Sequence, residues 1–338
     1  MGSQQSEGER TTGDSAVSDL GRPIFIVGCP RSGTTLVQCI LSVSSQAFSL
    51  PETHFFSWVL PAIQAQPDSV IGPEQLPRVR QTFEIESGLR LPEDFWTAVR
   101  GRAELTARDL FVEIVEYHRP MDGLRAIEKT PRHVLHMDVI GTAFTDAVFV
   151  EVVRDPIDVA SSLLGVPFES SRSVLSYAQR WAESIHAARA YGRAQPGRLW
   201  TVCYETLLAE PETTVRQLCE FVDLPYEPRM LEEFGREAAR NVGSGEAWKR
   251  DVTSGVLLDR KGIWRKRMTP GQAWLVAQAT RDLRHELGYV DQPLASASLI
   301  LAASVREARV RFGEARSSTG VVGAARHAGS VLKILSAA

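Results

Sequence analysis

The stretch Pro23-Ile-Phe-Ile-Val-Gly-Cys-Pro-Arg-Ser-Gly-Thr-Thr-Leu-Val37 constrains this chain more than any other. Its apolar start predicts a short buried strand, Gly28 and Gly33 bound a turn, and Leu36, Val37, Ile40 and Leu41 then recur at helical spacing. A strand, a G-x-x-x-x-G turn and a helix together aim backbone N–H groups at one point, which makes a cradle for phosphate. The common nucleoside triphosphate loop would continue with Lys and then Ser or Thr. Here Thr34 and Thr35 follow Gly33, and the positive charge sits inside the loop instead, at Arg31.

Later segments repeat the strand signal. Leu124 to Pro131 reads as a short strand that runs into a charged turn at Lys129, Ala147 to Val153 as a β-branched strand ending at Arg154, and Leu199 to Tyr204 as another. Helical periodicity covers about 105–117, 173–191 and 211–222, with Asp155 and Pro156 suited to open a further helix. Strands alternating with helices predict an α/β fold, a doubly wound, mostly parallel sheet with flanking helices. Such sheets bind ligands beyond the carboxyl ends of their strands. Arg31, Lys129, Arg154 and Tyr204 each stand at such an end. Between Gln64 and Arg102, four prolines (Pro67, Pro73, Pro77 and Pro92) break the pattern into short pieces, which read as a lid or acceptor-side insertion or as a solvated helical cap.

A net charge of −3 over 338 residues argues against a nucleic-acid partner. No run of eighteen apolar residues predicts a transmembrane segment, and residues 1–20 have the composition of a disordered N-terminal segment rather than of a signal peptide. Cys29, Cys39, Cys203 and Cys219 form no CxxC pair, so they are expected as free thiols in a cytoplasmic, reducing setting. No Asp, Glu or His cluster with metal-ligand spacing lies near the loop, so no metal is expected. Residues 291–338 read as a basic tail, helical or disordered. From Arg306 onward it holds six Arg or Lys against two Glu, which makes an anionic membrane face or a protein partner a candidate contact.

Pro30-Arg-Ser-Gly-Thr-Thr-Leu36 resembles the 5′-phosphosulfate loop of the sulfotransferases that use 3′-phosphoadenosine-5′-phosphosulfate (PAPS), in the form of the bacterial, carbohydrate and tyrosylprotein branches. The resemblance covers roughly Arg22 to Tyr289 and implies a P-loop-like fold, with 21–290 as the catalytic domain. It further implies that Ser32, Gly33, Thr34 and Thr35 hold the 5′-phosphate, with Arg31 and Lys129 neutralising charge at the transferring group. Arg154-Asp-Pro-Ile-Asp-Val-Ala-Ser-Ser162 is similar to the family's 3′-phosphate motif, which assigns Arg154 and, eight residues on, Ser162 to that phosphate. Arg260, Lys261 and Gly262 resemble its second 3′-phosphate element. Tyr204, followed by Glu205, resembles a pair whose tyrosine reaches the adenine.

Sulfuryl transfer to a hydroxyl also needs a base. Cytosolic members place a histidine two residues after the lysine of a Lys-Thr-His run, but Pro131 occupies that position here. Other branches use a glutamate after the first helix, and Glu52 in Pro51-Glu-Thr-His54 matches it. Aromatic neighbours at Phe55, Phe56 and Trp58 predict a partly desolvated carboxylate. His54 is the competing base and His133 a third choice. The implied reaction moves the sulfuryl group of PAPS to a hydroxyl on a glycan, lipid, natural product or tyrosine, without a metal, leaving 3′-phosphoadenosine-5′-phosphate (PAP). Two rivals remain open: a kinase or nucleotide hydrolase with a variant loop, and a non-catalytic nucleotide-binding module.

Overall fold

A computed structural model describes residues 20–166, 171–241 and 261–318. Five parallel strands, β1 (Ile24–Gly28), β2 (Ala47–Ser49), β3 (Arg125–Lys129), β4 (Val148–Val153) and β5 (Leu199–Cys203), form one sheet in the order β2-β3-β1-β4-β5. The register pairs Ile26 with Lys129 on one side of β1 and Gly28 with Val152 on the other. The chain thus leaves β1 first toward β3 and later toward β4, and the reversal places the glycine loop at the crevice between them.

β1 and β4 are buried along their whole length because both faces of the sheet are covered. One face presents Phe25, Val27 and Phe149 to an aromatic core that includes Phe55, Phe56 and Phe111. The other presents Ile24, Ile26, Val148, Val150 and Val152 to helix α1 (Thr34–Leu41). The apolar spacing of α1 predicts one buried face, yet only Thr35 among its eight residues escapes full burial. Helix α7 (Arg229–Asn241) supplies the reason: its Met230 and Phe234 join the same core and cover the outer side of α1.

The proline-broken stretch folds into helices α2 (Leu76–Ser87) and α3 (Glu93–Arg100). Leu76, Val79, Phe83, Trp96 and Val99 are buried in the aromatic core beside α4 (Ala107–Tyr117), so this part is packed onto the sheet rather than standing off it.

Two further helices follow β4: α5 (Pro156–Leu164) and α6 (Val174–Ala194). α6 packs against α8 (Pro270–Ala279), which in turn carries α9 (Ala297–Ser318), through Leu175, Leu275 and Ala303. α9 lies so close to α8 that a Cβ on Gly271 would stand 2.2 Å from the Leu299 carbonyl oxygen. Glu307 of α9 is 3% exposed and accepts hydrogen bonds from the hydroxyl of Ser173 and from the N–H groups of Val174 and Leu175, both at 3.2 Å. The tail expected from residue 291 is therefore helical from Ala297 to Ser318, and its Glu307 caps α6. Residues 319–338, like the N-terminal segment 1–19, lie outside the described residues. No described helix is long and apolar enough to cross a membrane.

Candidate active site

The loop after β1 begins with a turn from Cys29 to Ser32, closed by the Ser32 N–H donating to the Cys29 carbonyl at 3.2 Å. Pro30 takes the second position, as its fixed φ favours, and Arg31 takes the third with φ of 76°. That position favours glycine, so an arginine held there is strained in a way its side chain must justify. Arg31 Nε donates to Ser162 Oγ of α5 at 3.1 Å, tying the loop to the helix after β4. The Ser32 hydroxyl is buried and without a hydrogen-bond partner, and Gly33 opens α1 with no side-chain cap. A buried hydroxyl without a partner beside an uncapped helix start fits a phosphate ligand, whose oxygens would accept from both.

Gly33 has φ of 106°, and a Cβ there would sit 2.4 Å from the Tyr204 ring. Tyr204 packs against the loop, and the Arg154 guanidinium stacks over its ring, 4.6 Å from the centroid. The tyrosine, expected to reach an adenine, is 7% exposed and packed against both the loop and the arginine. Its neighbour Glu205 accepts from the Asp155 N–H at 3.0 Å and from the Tyr289 hydroxyl at 2.9 Å, fixing the turn that carries Arg154. Trp181 Nε1 donates to the Arg154 carbonyl at 3.0 Å and fixes it from α6.

Asp158 stands one turn after Arg154 and 3.8 Å from its guanidinium. Its carboxylate accepts from the N–H groups of Gly262 at 2.7 Å and Trp264 at 3.0 Å, which anchors the loop carrying Lys261. Burial pushes the Asp158 carboxyl up, while Arg154 and the two N–H donors pull it back. The motif arginine, Ser162 and the Lys261-Gly262 element are therefore gathered around α5, whereas Arg260 lies outside the described residues. The sequence analysis gives Asp158 no role; its i,i+4 spacing from Arg154 is the signal that points to it.

At the end of β3, Lys129 is 1% exposed and forms an ion pair with Glu52. The other Glu52 oxygen lies 3.3 Å from His54 Nε2. Phe55 and Phe56 turn away into the core, and Trp58 points outward, so the setting of Glu52 is ionic rather than the aromatic one its sequence neighbours predict. Burial lowers the pKa of His54 against the opposing pull of Glu52, which favours a neutral ring beside that carboxylate.

A buried polar network holds this trio. The carboxylate of Glu128 accepts from the hydroxyls of Thr53 at 2.8 Å and Thr130 at 2.6 Å, and lies 2.9 Å from His133 Nδ1. The Phe56 N–H donates to His133 Nε2 at 3.2 Å, so the proton of that ring belongs on Nδ1 and is given to Glu128. Burial pushes the Glu128 carboxyl up, but His133 and the two hydroxyls outweigh it and leave it below the ordinary range. His133, one of the three candidate bases, is thus fully buried and committed at both nitrogens. Thr130 also accepts from the His54 N–H at 3.2 Å, which fixes the left-handed residue His54 (φ 51°) at the start of a π-helical turn, Phe55–Val59. These partners stand some 75 residues apart, and nothing local in the sequence announces them.

Among the described residues no group of His, Cys, Asp or Glu is placed to hold a metal ion. The nodulation protein NoeE of Sinorhizobium fredii is 26% identical over 299 residues, covering 81% of this chain and 67% of that one. A putative protein-tyrosine sulfotransferase of Caenorhabditis briggsae is 25% identical, covering 64% and 70%. An uncharacterised Aquifex aeolicus protein is 27% identical over 72% of this chain, which spans only 29% of that protein's length. Among solved structures, the sulfotransferase domains of the curacin biosynthetic pathway and of the Synechococcus PCC 7002 olefin synthase share the fold. Their TM-scores are 0.54 and 0.57, each at 21% identity, and they cover 82% and 83% of this chain and 100% of their own. Residues 23–228 match the profile of the sulfotransferase family, and the chain belongs to that family.

Proposed function

We propose that this protein is a PAPS-dependent sulfotransferase acting on a hydroxyl, and that Glu52 is its base. The observation that carries the reading is the grouping of Lys129, Glu52 and His54 at the strand end next to the glycine loop. PAPS supplies an activated sulfuryl group: the acceptor oxygen–sulfur bond forms as the bond from sulfur to the 5′-phosphate oxygen breaks, and PAP leaves. Glu52 takes the proton released by the acceptor hydroxyl, and His54 orients it. Lys129 and Arg31 offset negative charge that grows on the transferring and leaving oxygens. Ser32, Gly33, Thr34 and Thr35 cradle the 5′-phosphate. Arg154, with Ser162 and the Lys261-Gly262 element, is assigned the 3′-phosphate, and the Arg31–Ser162 hydrogen bond links the two phosphate sites.

Calorimetry with PAP, 5′-AMP and ATP, each with and without Mg²⁺, tests the reading. PAP should bind most tightly and to the same extent without the metal. Preferential binding of ATP with Mg²⁺ would point to a kinase or hydrolase instead.

A further inference from the structure

Helix α9 is turned inside out. Its side buried on the domain carries Ala303 together with Ser304, Glu307 and Arg311, so most of what it buries is polar or charged. Its other side presents Leu301 (62% exposed), Val305 (44%) and Phe312 (45%). At about 100° per residue these three fall within about 40° of one another around the axis, which makes them one apolar stripe on the outside of the molecule. A helix that packs on a domain surrounded by water ordinarily does the reverse, with apolar residues inward and charges outward. Here Glu307 goes inward because it caps α6, and the same contact holds the helix with its stripe outward.

The charge on the outer side is of one sign. Arg306 and Arg309 are exposed and lie to one side of the stripe, whereas Glu307, the single acid between Ala297 and Gly313, is buried. From Ala315 to Ala338 the sequence holds Arg316, Arg326 and Lys333, several Val and Leu residues, and no Asp or Glu. A second copy of the chain seated on this stripe would bring like charges together. An anionic surface pairs with them instead, and a bilayer takes up the apolar side chains without needing a groove shaped to receive a convex helix. We propose that α9 docks the protein on the surface of an anionic membrane, lying in the plane of the interface. Leu301, Val305 and Phe312 enter the boundary between headgroups and acyl chains, and Arg306 and Arg309 meet the anionic headgroups. The stripe is one-sided, with charged residues on the opposite face of the helix, which fits a helix lying on a bilayer rather than through it.

Flotation of the full-length protein with lipid vesicles tests this. Vesicles of phosphatidylcholine with about a third phosphatidylserine should carry the protein and pure phosphatidylcholine should not, with binding lost at high salt because the attraction is screened. Arg306→Gln combined with Arg309→Gln should weaken binding about tenfold to thirtyfold. Leu301→Gln combined with Phe312→Gln should weaken it at least about tenfold, since both side chains lose their apolar burial. Glutamine keeps helix propensity at these four exposed positions, so the variants test the surface and not the fold. A protein that ignores phosphatidylserine vesicles, or binds the two vesicle types alike, overturns the inference. Binding that survives the Leu301→Gln and Phe312→Gln pair also overturns it and places the contact elsewhere in the chain. A concentration-dependent dimer in sedimentation velocity that the same pair abolishes overturns it as well, because the stripe would then belong to a second copy.

Discussion

Glu52 and His54 are the two competing bases at the site, and they stand in different settings. His54 is largely withdrawn from water, its pKa lowered by burial, and its Nδ1 is buried without a hydrogen-bond partner. Glu52 forms an ion pair with Lys129, and its second oxygen lies 3.3 Å from His54 Nε2. Glu52→Gln keeps the shape and removes the proton acceptor, so kcat should fall by about 10²–10⁴ with PAP affinity nearly unchanged. The acidic limb of the rate profile should vanish with it. His54→Asn should cost far less; if it abolishes turnover while Glu52→Gln remains active, the imidazole is the base. Arg154 offers a second residue-scale test. Its guanidinium, stacked on Tyr204, is the group assigned to the 3′-phosphate, so Arg154→Ala should weaken PAP by roughly one to two decades and 5′-AMP much less. Equal losses for both nucleotides in calorimetry would remove Arg154 from that site.

At the scale of elements, the strands that matter were legible because their sequences are long enough to show themselves. β1, β4 and β5 are mostly apolar or β-branched, β3 shows itself by Ala126 and Ile127 running into Lys129, and the polar residue that follows each strand marks the ligand side of the sheet. β2 is three residues at the sheet edge and gives no periodic signal. The trio at the site was legible by spacing and family resemblance, but its supports were not: Glu128, Thr53, Thr130 and His133 meet only after β3 pairs with β1 and the chain returns from the insertion. The packing of α9 was hidden for a related reason, since its Ala- and Ser-rich start reads as a helical or disordered tail until Gly271 lets it approach α8. The packing of α9 makes a prediction at this scale. Glu307 answers a hydroxyl and two first-turn N–H groups of α6, so Glu307→Ala leaves buried donors without acceptors. The expected loss is about 2–4 kcal/mol in a urea melt, with Glu307→Gln, which keeps one carbonyl acceptor, losing clearly less. Equal stability of wild type and Glu307→Ala would mean that α9 does not hold α6.

For the whole molecule, the central sheet contains a charge that its site does not use. Glu151 lies in the middle of β4, paired in register with Val27 of β1 and Thr201 of β5, and is 3% exposed. One oxygen accepts from the Thr201 hydroxyl at 2.8 Å; the other is buried with no hydrogen-bond partner. Burial pushes the carboxyl up from 4.5 to about 7, against weaker pulls from Thr201 and Arg189. The folded protein therefore keeps this proton over a range in which the unfolded chain has released it. Stability from the neutral carboxyl is present below the unfolded value and is lost as pH rises toward about 7. His54 and His136 act in the opposite sense, since burial lowers both, His136 to about 4, and their contribution is lost as pH falls below the ordinary imidazole range. The wild-type stability profile is the sum of these opposed slopes, so it does not by itself reveal either one. A difference between two proteins does, because the histidine terms cancel when only Glu151 changes. Glu151→Gln keeps an acceptor for Thr201 and is neutral at every pH. Its stability relative to wild type should increase by about 2 kcal/mol between about pH 5 and about pH 8, roughly a 3 °C widening of the gap in Tm by calorimetry. A gap that stays constant over that range would show that the buried carboxyl titrates normally and that the sheet carries its charge without cost.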